Sequence, residues 1–418
     1  MPKRSREMDS FDDPSVASPL IIIGASARAA AQSSIRAGYE PWCVDLFADT
    51  DLAKVATVTR CPADQYPEGL VEIIRNAPLH AEVPVLYTGA LENSPHTIKQ
   101  IETLHPLLGC SSEAIQRVRD PTVLPMLPAH AGLQFCDTRS SALKGFRDPT
   151  QSSDTYLIKP YKSGCGAGIH RWSGGAIGQT HYIQQFVIGT PTSAVYVSNI
   201  GGVRLFGVTE QMIGDETFGV SGFRYCGSVG PYAITDAQHA AFTHIGNMLF
   251  GRFGLRGPFG VDAVIDHKGE VWPVEVNPRY TSSVEVLEQA TGLSVLKACE
   301  KLGTESVTHH CGDTEADDAK MPVPISSPAA GNFTDGIQTN HSDQFGKAIV
   351  FAKCDCQVGH LMSWFEPKQV ADVPQRDQFI RKGRPICTLL ASAPDRDTLF
   401  AHLRDQVETL YSRLKPTP

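Results

Sequence analysis

The sequence predicts a mixed protein of the α/β and α+β classes, in which a parallel α/β unit precedes a strand-rich unit. In the first part, residues 20–23, 39–45 and 83–89 are apolar predicted strands, with helical patterns between them. Strands that alternate with helices form a parallel sheet. In the second part, predicted strands follow one another closely, at residues 155–159, 182–187, 194–198 and 204–210.

Length and composition are those of a globular protein of two to four domains. The chain has 418 residues, of which 41% are hydrophobic and 20% are charged. A formal net charge of −8 argues against a general nucleic-acid-binding surface. No apolar run approaches the ~20 residues that span a bilayer. Residues 1–18 are polar, with no apolar stretch after them, and predict a disordered N-terminus of a cytoplasmic protein rather than a secretory signal.

The most informative segment is residues 260–279, which predict two short strands joined by a turn at 266–269. Such a hairpin can bring Asp262, Glu275 and Asn277 together, with the fixed positive charge of Arg279 beside them. Hard oxygen ligands of this kind suit Mg²⁺, and arginine suits bidentate recognition of phosphate or carboxylate. The alternative is an ordinary surface hairpin. Two polar residues inside an apolar run, where unpaired polar groups are costly, argue against that alternative.

A glycine-rich loop upstream indicates phosphate binding. Lys159 ends a predicted strand, and the loop after it contains Ser163, Gly164, Gly166 and Gly168. Glycine lets backbone N–H groups approach a phosphate closely, and the lysine adds a point charge. The segment lacks the GxxxxGK[ST] pattern of a P-loop. A plain flexible turn is the alternative for this loop when it is considered alone.

Taken together, these segments resemble the ATP-grasp superfamily. The matching residues are Lys159 with the glycine loop, the segment 184–191, and Asp262 with Glu275-Val-Asn277-Pro-Arg279. The resemblance covers roughly residues 19 to 415 and is most specific between 156 and 285. Within the superfamily the chain is similar to carboxylate–amine ligases and to carboligases related to biotin carboxylase, including a group linked to one-carbon cofactor pathways.

The resemblance implies a domain organisation. After the disordered residues 1–18, it implies an N-terminal parallel α/β (pre-ATP-grasp) domain over 19–112 and a two-lobed ATP-grasp core over 113–303. A linker over 304–343 and a small β-rich C-terminal domain over 344–418 follow. The C-terminal segments 346–351, 371–374 and 383–391 are similar to the tail domain of biotin carboxylase and its relatives.

The resemblance also implies ATP and Mg²⁺ (or Mn²⁺) as cofactors and assigns roles to the quoted residues. Asp262, Glu275 and Asn277 are the expected metal ligands, and Lys159 and Arg279 are the expected catalytic residues. The nucleotide is expected to contact Lys159, Ser163, Gly164, Gly166, Gly168, Gln184, Gln185, Phe186 and Val187, the last four holding adenine through backbone groups.

The chain departs from the family pattern in two places. A phosphate-contacting lysine often follows an aspartate in the family, but here Pro121 follows Asp120, so Arg119 or Lys144 is the candidate substitute. The adenine segment often carries an acid, where this chain has Gln184 and Gln185. Backbone recognition would survive that change. A half-buried strand with exposed glutamines is the alternative for this segment.

The N-terminal unit is expected to help form the substrate pocket. A dinucleotide-binding domain is the competing interpretation, but no GxGxxG triplet follows Gly24. Arg28, Gly89, Glu92 and Asn93 then lie near the carboxyl ends of strands, where open α/β sheets place ligands. For Arg28 the alternative is a helix-surface arginine, and the other three are alternatively plain turn residues. Residues 221–231 are predicted to form a mobile substrate loop, and 234–250 and 395–414 are predicted helices.

The implied reaction is ATP-dependent, ADP-forming ligation through an acyl phosphate. A carboxylate attacks the γ-phosphate, and an amine or similar nucleophile then displaces phosphate. The implied partners are small-molecule substrates and, as is common in such folds, a second copy of the chain, with no nucleic acid and no membrane. A bicarbonate-dependent carboxylase and a non-catalytic ATP-binding protein remain alternatives. No biotinyl-lysine motif of the Ala-Met-Lys-Met type occurs.

The eleven cysteines form no compact framework, which predicts reduced thiols. Cys354, Cys356 and His360, and the run 309–311 of His-His-Cys, raise the alternative of zinc. Neither group has a second ligand pair at finger-like spacing. Cys165 lies in the glycine loop and is expected to be a small loop residue rather than a nucleophile.

Overall fold

The computed structural model describes residues 17–140, 155–302 and 343–416, apart from residues 360 and 367. Nearly all of the predicted disordered N-terminus and of the predicted linker lies outside these ranges. So do Lys144, the His-His-Cys run at 309–311 and His360.

The N-terminal unit is built on a four-stranded sheet whose strands are all parallel, in the order β3-β2-β1-β4. The central strand β1 is buried on both faces from Leu20 to Ile23, which is why it is continuously apolar. The parallel sheet predicted from the sequence is confirmed, and β3 is an additional strand. Its strands are β1 (Ser18–Gly24), β2 (Tyr39–Asp45), β3 (Thr57–Arg60) and β4 (Val85–Tyr87).

Helices cover both faces of this sheet. The first helix ends at Gly38, whose φ of 96° is left-handed and is favoured by glycine. On one face, Leu20 and Ile22 share a core with later helices, while Ile21 and Ile23 face a second core on the other side. The helices are α1 (Arg28–Ala37), α2 (Gly69–Arg75), α3 (Pro95–Glu102) and α4 (Ser112–Val118).

A small antiparallel sheet follows, in the order β5-β8-β6-β7. The predicted strand at 182–187 ends earlier than expected, since Phe186 and Val187 lie beyond β8. The strands are β5 (Thr138–Ser140), β6 (Tyr156–Pro160), β7 (His170–Arg171) and β8 (His181–Gln185).

The largest sheet has eight strands, three of which come from the C-terminal part: β14 (Gln344–Phe351), β16 (Val370–Ala371) and β18 (Pro385–Ala393). The strand order is β13-β12-β9-β10-β11-β14-β18-β16, and every pair is antiparallel. Its first five members are β9 (Gly189–Asn199), β10 (Gly202–Ile213), β11 (Tyr225–Gly230), β12 (Gly257–Asp266) and β13 (Val271–Asn277). Together with a three-stranded antiparallel sheet near the C-terminus, these antiparallel sheets and the parallel sheet form the mixed architecture that the sequence predicts.

The prediction of a mobile loop at 221–231 is wrong for residues 225–230. Residues Tyr225–Gly230 form β11, which pairs with β10 on one side and β14 on the other. The strand is apolar or small at most positions and largely buried, so it lies within the sheet rather than over the site. Of the predicted loop, residues 221–224 before β11 and Pro231 after it are connecting segments.

Three helices pack on this sheet: α5 (Asp236–Phe253), α6 (Ser282–Thr291) and α7 (Val295–Lys301). The helix predicted at 234–250 is confirmed as α5. It begins with a capping box, in which the side chains of Thr235 and Gln238 each bond the backbone N–H of the other residue.

The C-terminal part is rich in strands, as predicted, but its longest strands extend the eight-stranded sheet. A core of β11, β14, β18 and α8 residues joins it to the preceding part. The final helix is confirmed. The elements are β14 (Gln344–Phe351), β15 (Cys356–Gln357), β16 (Val370–Ala371), β17 (Phe379–Ile380), β18 (Pro385–Ala393), α8 (Arg396–Arg413) and β19 (Lys415–Pro416). Among the described residues, no helix is both long and apolar enough to cross a membrane.

Candidate active site

The hairpin of β12 and β13 places three oxygen-bearing side chains on one face. Asp262 lies opposite Glu275 and Gly260 lies opposite Asn277, so Glu275 and Asn277 point to the same side as Asp262. Asn277 Nδ2 donates to Asp262 Oδ2 at 2.9 Å. Burial, and then the nearby Glu275, raise the pKa of Asp262 to about 6. Two carboxylates and an amide therefore lie together on one face of the hairpin, where burial and mutual repulsion make the ionised carboxylates costly.

Two cations lie beside Glu275. Arg119 donates from Nη1 to Glu275 Oε1, and its guanidinium also reaches Asn93 Oδ1 at 3.3 Å. Lys159, 8% exposed, donates from Nζ to Gln184 Oε1 at 2.6 Å. Burial opposes the ionisation of Glu275, but the charges of Arg119 and Lys159 lower its pKa below the ordinary value. Arg119 thus lies at the site, as the sequence suggested for it.

The glycine loop is anchored on both sides. Asn93 Nδ2 donates to the carbonyl oxygen of Ser163 at 3.0 Å, which connects the loop to the N-terminal unit. On the other side, the N–H of Tyr225 donates to the carbonyl oxygen of Cys165 at 3.1 Å. Gly166, with φ of +70°, lies against the backbone of Phe223. The loop is therefore held between two separate parts of the chain.

Replacing Gly166 with Ala should disturb this anchoring. A Cβ at this position would lie 1.9 Å from the carbonyl oxygen of Phe223, in a backbone conformation that L-residues rarely adopt. We expect the affinity for ATP, measured by isothermal titration calorimetry, to fall about tenfold or more, a cost of ~1.4 kcal/mol. Gly251→Ala is the matched control, because Gly251 lies in α5, outside the cleft, and its Cβ would meet no atom within 4 Å. Equal affinities of the two variants would contradict this prediction.

The predicted adenine segment 184–187, at the end of β8, differs in part from expectation. The alternative of exposed glutamines is wrong for Gln184, whose side chain is 2% exposed and also donates to the carbonyl oxygen of Val274 at 3.2 Å. The two backbone N–H groups that follow Gln184 are also hydrogen-bonded within the protein. The N–H of Gln185 bonds Asp137 O at 2.8 Å, and the N–H of Phe186 bonds Thr155 O at 2.7 Å. Gln184 thus positions the ammonium group of Lys159.

Arg279 lies just beyond β13 and is tied to the N-terminal unit. Its Nε lies 2.9 Å from Glu92 Oε1, and its Nη2 donates to Asn277 Oδ1 at 3.3 Å. Glu92 is buried, and its Oε2 has no hydrogen-bond partner among the described residues. Arg279 therefore faces both the acidic hairpin and the loop after β4.

A cleft of about 1290 Å³ connects these features. Every predicted site residue except Gly168 lines it, and Gly168 instead packs against Pro160. Arg119 lines a small adjoining cavity together with Lys159 and Glu275. The suggested N-terminal residues Arg28, Gly89 and Glu92 line the cleft, while Asn93 bonds its glycine loop.

One buried charge network at the cleft was missed. Arg28, 1% exposed, donates to both oxygens of Glu285 and to Asp372, and Lys347 Nζ donates to Glu285 Oε2 at 2.6 Å. The alternative of a helix-surface arginine is therefore wrong. A lysine within the apolar strand 344–351 was the available signal, because a charge in such a strand requires a partner.

The end of β10 and the cysteines complete the description of the site. Gln211 lines the cleft, whereas Glu210 pairs with Arg396 at the surface. Of the cysteines in question, Cys165 and Cys354 are exposed, and Cys356 is buried. Within the described ranges, no three His, Cys, Asp or Glu side chains are grouped so as to hold a metal ion. The third oxygen donor beside Asp262 and Glu275 is an amide.

Comparison with known proteins identifies the domain. A family model described as an ATP-grasp domain matches residues 143–283. The chain is similar to the L-amino acid ligase of Bacillus licheniformis, with 15% identity and a TM-score of 0.59, over 96% of this chain and 99% of that one. A search of curated proteins finds no match.

Two further solved structures have the same fold. Carboxyaminoimidazole ribonucleotide synthase of Aspergillus clavatus, complexed with ATP, gives a TM-score of 0.64 at 11% identity, over 95% of this chain and 99% of that one. Biotin carboxylase of Campylobacter jejuni gives a TM-score of 0.61 at 12% identity, over 93% and 90%. Residues 143–283 therefore match an ATP-grasp domain, and the chain has the ATP-grasp fold.

Proposed function

We propose that the protein is an ATP-dependent, ADP-forming ligase that activates a carboxylate as an acyl phosphate and couples it to an amine or similar nucleophile. One observation carries this proposal: the acidic hairpin, the buried lysine and the anchored glycine loop converge on one cleft. Asp262, Glu275 and Lys159 come from two different sheets, and the cleft between them is large enough for a nucleotide and a second substrate.

The donor set of the hairpin fits a magnesium ion. Asp262, Glu275 and Asn277 offer hard oxygen ligands on one face, and the raised pKa of Asp262 indicates negative charge that a cation would relieve. Mg²⁺, when bound, would neutralise phosphate charge. Mn²⁺ has the same ligand preference.

The cations of the site support binding of the phosphates. Lys159 is oriented by Gln184, and Arg119 is oriented by Glu275 and Asn93. We assign to Arg119 the phosphate contact that a lysine makes elsewhere in the family. Phosphoryl transfer depends mainly on positioning and charge stabilisation, so no protein nucleophile is required.

The remaining residues support the second half-reaction. Arg279 is placed to anchor the substrate carboxylate and to stabilise the oxyanion that forms when the nucleophile attacks the acyl carbon. The ion pair with Glu92 fixes the direction of its guanidinium. The glycine loop, with Ser163, Gly164 and Gly166, covers the phosphates and excludes water, which would otherwise hydrolyse the acyl phosphate.

The proposal is tested by measuring ADP and phosphate release from ATP and Mg²⁺ across pairs of amino acids, amines and one-carbon cofactor precursors. We expect release that requires both an acid and an amine, with the ligated product detected by mass spectrometry. Tight ATP binding with no release for any pair would contradict the proposal and favour a nucleotide-binding protein without ligase activity.

A bicarbonate-dependent carboxylase is the second candidate. Two of the structural neighbours are a carboxyaminoimidazole ribonucleotide synthase and a biotin carboxylase. Bicarbonate is therefore included as an acid in the same panel. ADP release that depends on bicarbonate and not on the organic acids would favour this candidate.

A further inference from the structure

Asp49 is a buried carboxylate at the wall of the cleft. It follows β2, at the carboxyl edge of the parallel sheet, and its side chain is 8% exposed. Within the described ranges, the carboxylate forms no hydrogen bond or ion pair. Burying a carboxylate without a partner is costly, so this arrangement calls for an explanation beyond packing.

The charged groups around Asp49 all have structural partners. Asp45 accepts backbone N–H groups of Ala27, Phe47 and Ala48. Asp51 accepts the N–H groups of residues 372 and 373.

Two cations that line the same cleft are also committed. Arg28 bonds Glu285, Asp372 and Gln32, and Lys347 bonds Glu285. Among these charged side chains, Asp49 is thus the one whose carboxylate has no partner in the described part of the chain.

The local potential at Asp49 is negative. The pKa of Asp49 is raised to about 8, mainly by burial and further by the negative charges of Asp372, Asp45 and Asp51. The positive charge of Arg28 opposes this rise. A cation that entered the cleft would be attracted to this position and would return Asp49 to its ionised form.

We propose that Asp49 is the recognition residue of a binding site for a cationic group, a primary ammonium or a guanidinium, on a small molecule in the cleft. Leu46 and Phe47 also line the cleft and offer apolar contact to an aliphatic stem. That this molecule is the second substrate rests on the proposed ligase function, but the binding site itself does not. The cationic group would be a specificity contact, separate from the group that reacts.

Calorimetric titration of the full chain, in the absence of ATP, tests this site. The probes are two pairs of similar shape, L-lysine with L-norleucine and L-arginine with L-citrulline. We expect the cationic member of at least one pair to bind about tenfold or more tightly than its neutral partner, a difference of ~1.4 kcal/mol. Asp49→Asn should abolish that preference.

Asp64→Asn is the matched control, because it removes the same charge from an exposed position on the same unit and should keep the preference. The Asp49→Asn variant should remain folded, with a higher thermal midpoint than wild type at pH 9, where Asp49 is ionised and unpartnered. Equal binding within both pairs, or a preference that persists in Asp49→Asn, would overturn the inference. Because no turnover is measured, such a result would leave the ligase proposal standing.

Discussion

Glu275→Gln should abolish measurable ATP turnover, a fall of about 10³-fold, while the protein stays folded. The substitution keeps the shape of the side chain and one oxygen that can accept from Arg119. It removes the charge that, with Asp262, makes the hairpin a site for a divalent cation. The effect is expected on kcat more than on ATP affinity, because the phosphates keep Lys159 and the glycine loop.

Turnover is measured as ADP release at saturating ATP, with titration of Mg²⁺ and Mn²⁺. ATP affinity is measured separately by calorimetry. Glu270→Gln is the matched control: Glu270 lies in the turn of the same hairpin, where it accepts from Gln134 Nε2 at 3.0 Å, and it does not line the cleft. Wild-type turnover in the Glu275→Gln variant would contradict the assignment of the metal site to this hairpin.

Arg28→Met should destabilise the protein by about 3–5 kcal/mol, the usual cost of removing one partner from a buried ion pair. The substitution leaves Glu285, 1% exposed, with Lys347 alone, and leaves Asp372 without its arginine. Arg28 belongs to α1, Glu285 to α6 and Lys347 to β14, and Asp372 follows β16. The loss of Arg28 therefore loosens contact between the two ends of the chain. Urea denaturation followed by circular dichroism measures the change.

Arg396→Met is the control for Arg28→Met. Its ion pair with Glu210 is at the surface, with the arginine 53% exposed, and such pairs contribute about 0–1 kcal/mol. A cost for Arg28→Met as small as for Arg396→Met would show that the buried network contributes little stability.

The same network predicts a pH dependence. Burial opposes ionisation of Glu285, but Arg28 and Lys347 lower its pKa from 4.5 to about 2. A carboxyl group whose pKa is lowered in the folded state stabilises the fold above pH ~4.5, and this contribution is lost as the pH falls toward ~2. We expect wild type to lose stability across this window, and Arg28→Met to lose less. Parallel curves for the two proteins would contradict the assignment.

The local features of this protein could be predicted from its residues alone. Continuous apolar runs specified buried parallel strands, and alternation around Asp262 and Glu275 specified a hairpin with its polar side chains on one face. Periodicity predicted α5 and α8, because both are amphipathic and lie over a sheet. The spacing of Lys159, the glycines and the Glu-x-Asn-x-Arg segment sufficed to indicate the ATP-grasp domain that the family model matches.

Contacts between distant parts of the chain could not be predicted in this way, because they depend on how the sheets and helices pack. The partners of Arg28 are 257 and 344 positions away, at Glu285 and Asp372, and no local pattern encodes such pairs. Similarly, residues 225–230 are a strand because β14, more than a hundred residues later, supplies their hydrogen-bond partners. The unpartnered state of Asp49 is of the same kind. It depends on Asp45, Asp51 and Arg28 being bonded to other groups, and burial and long-range pairing are set only when the sheets pack together.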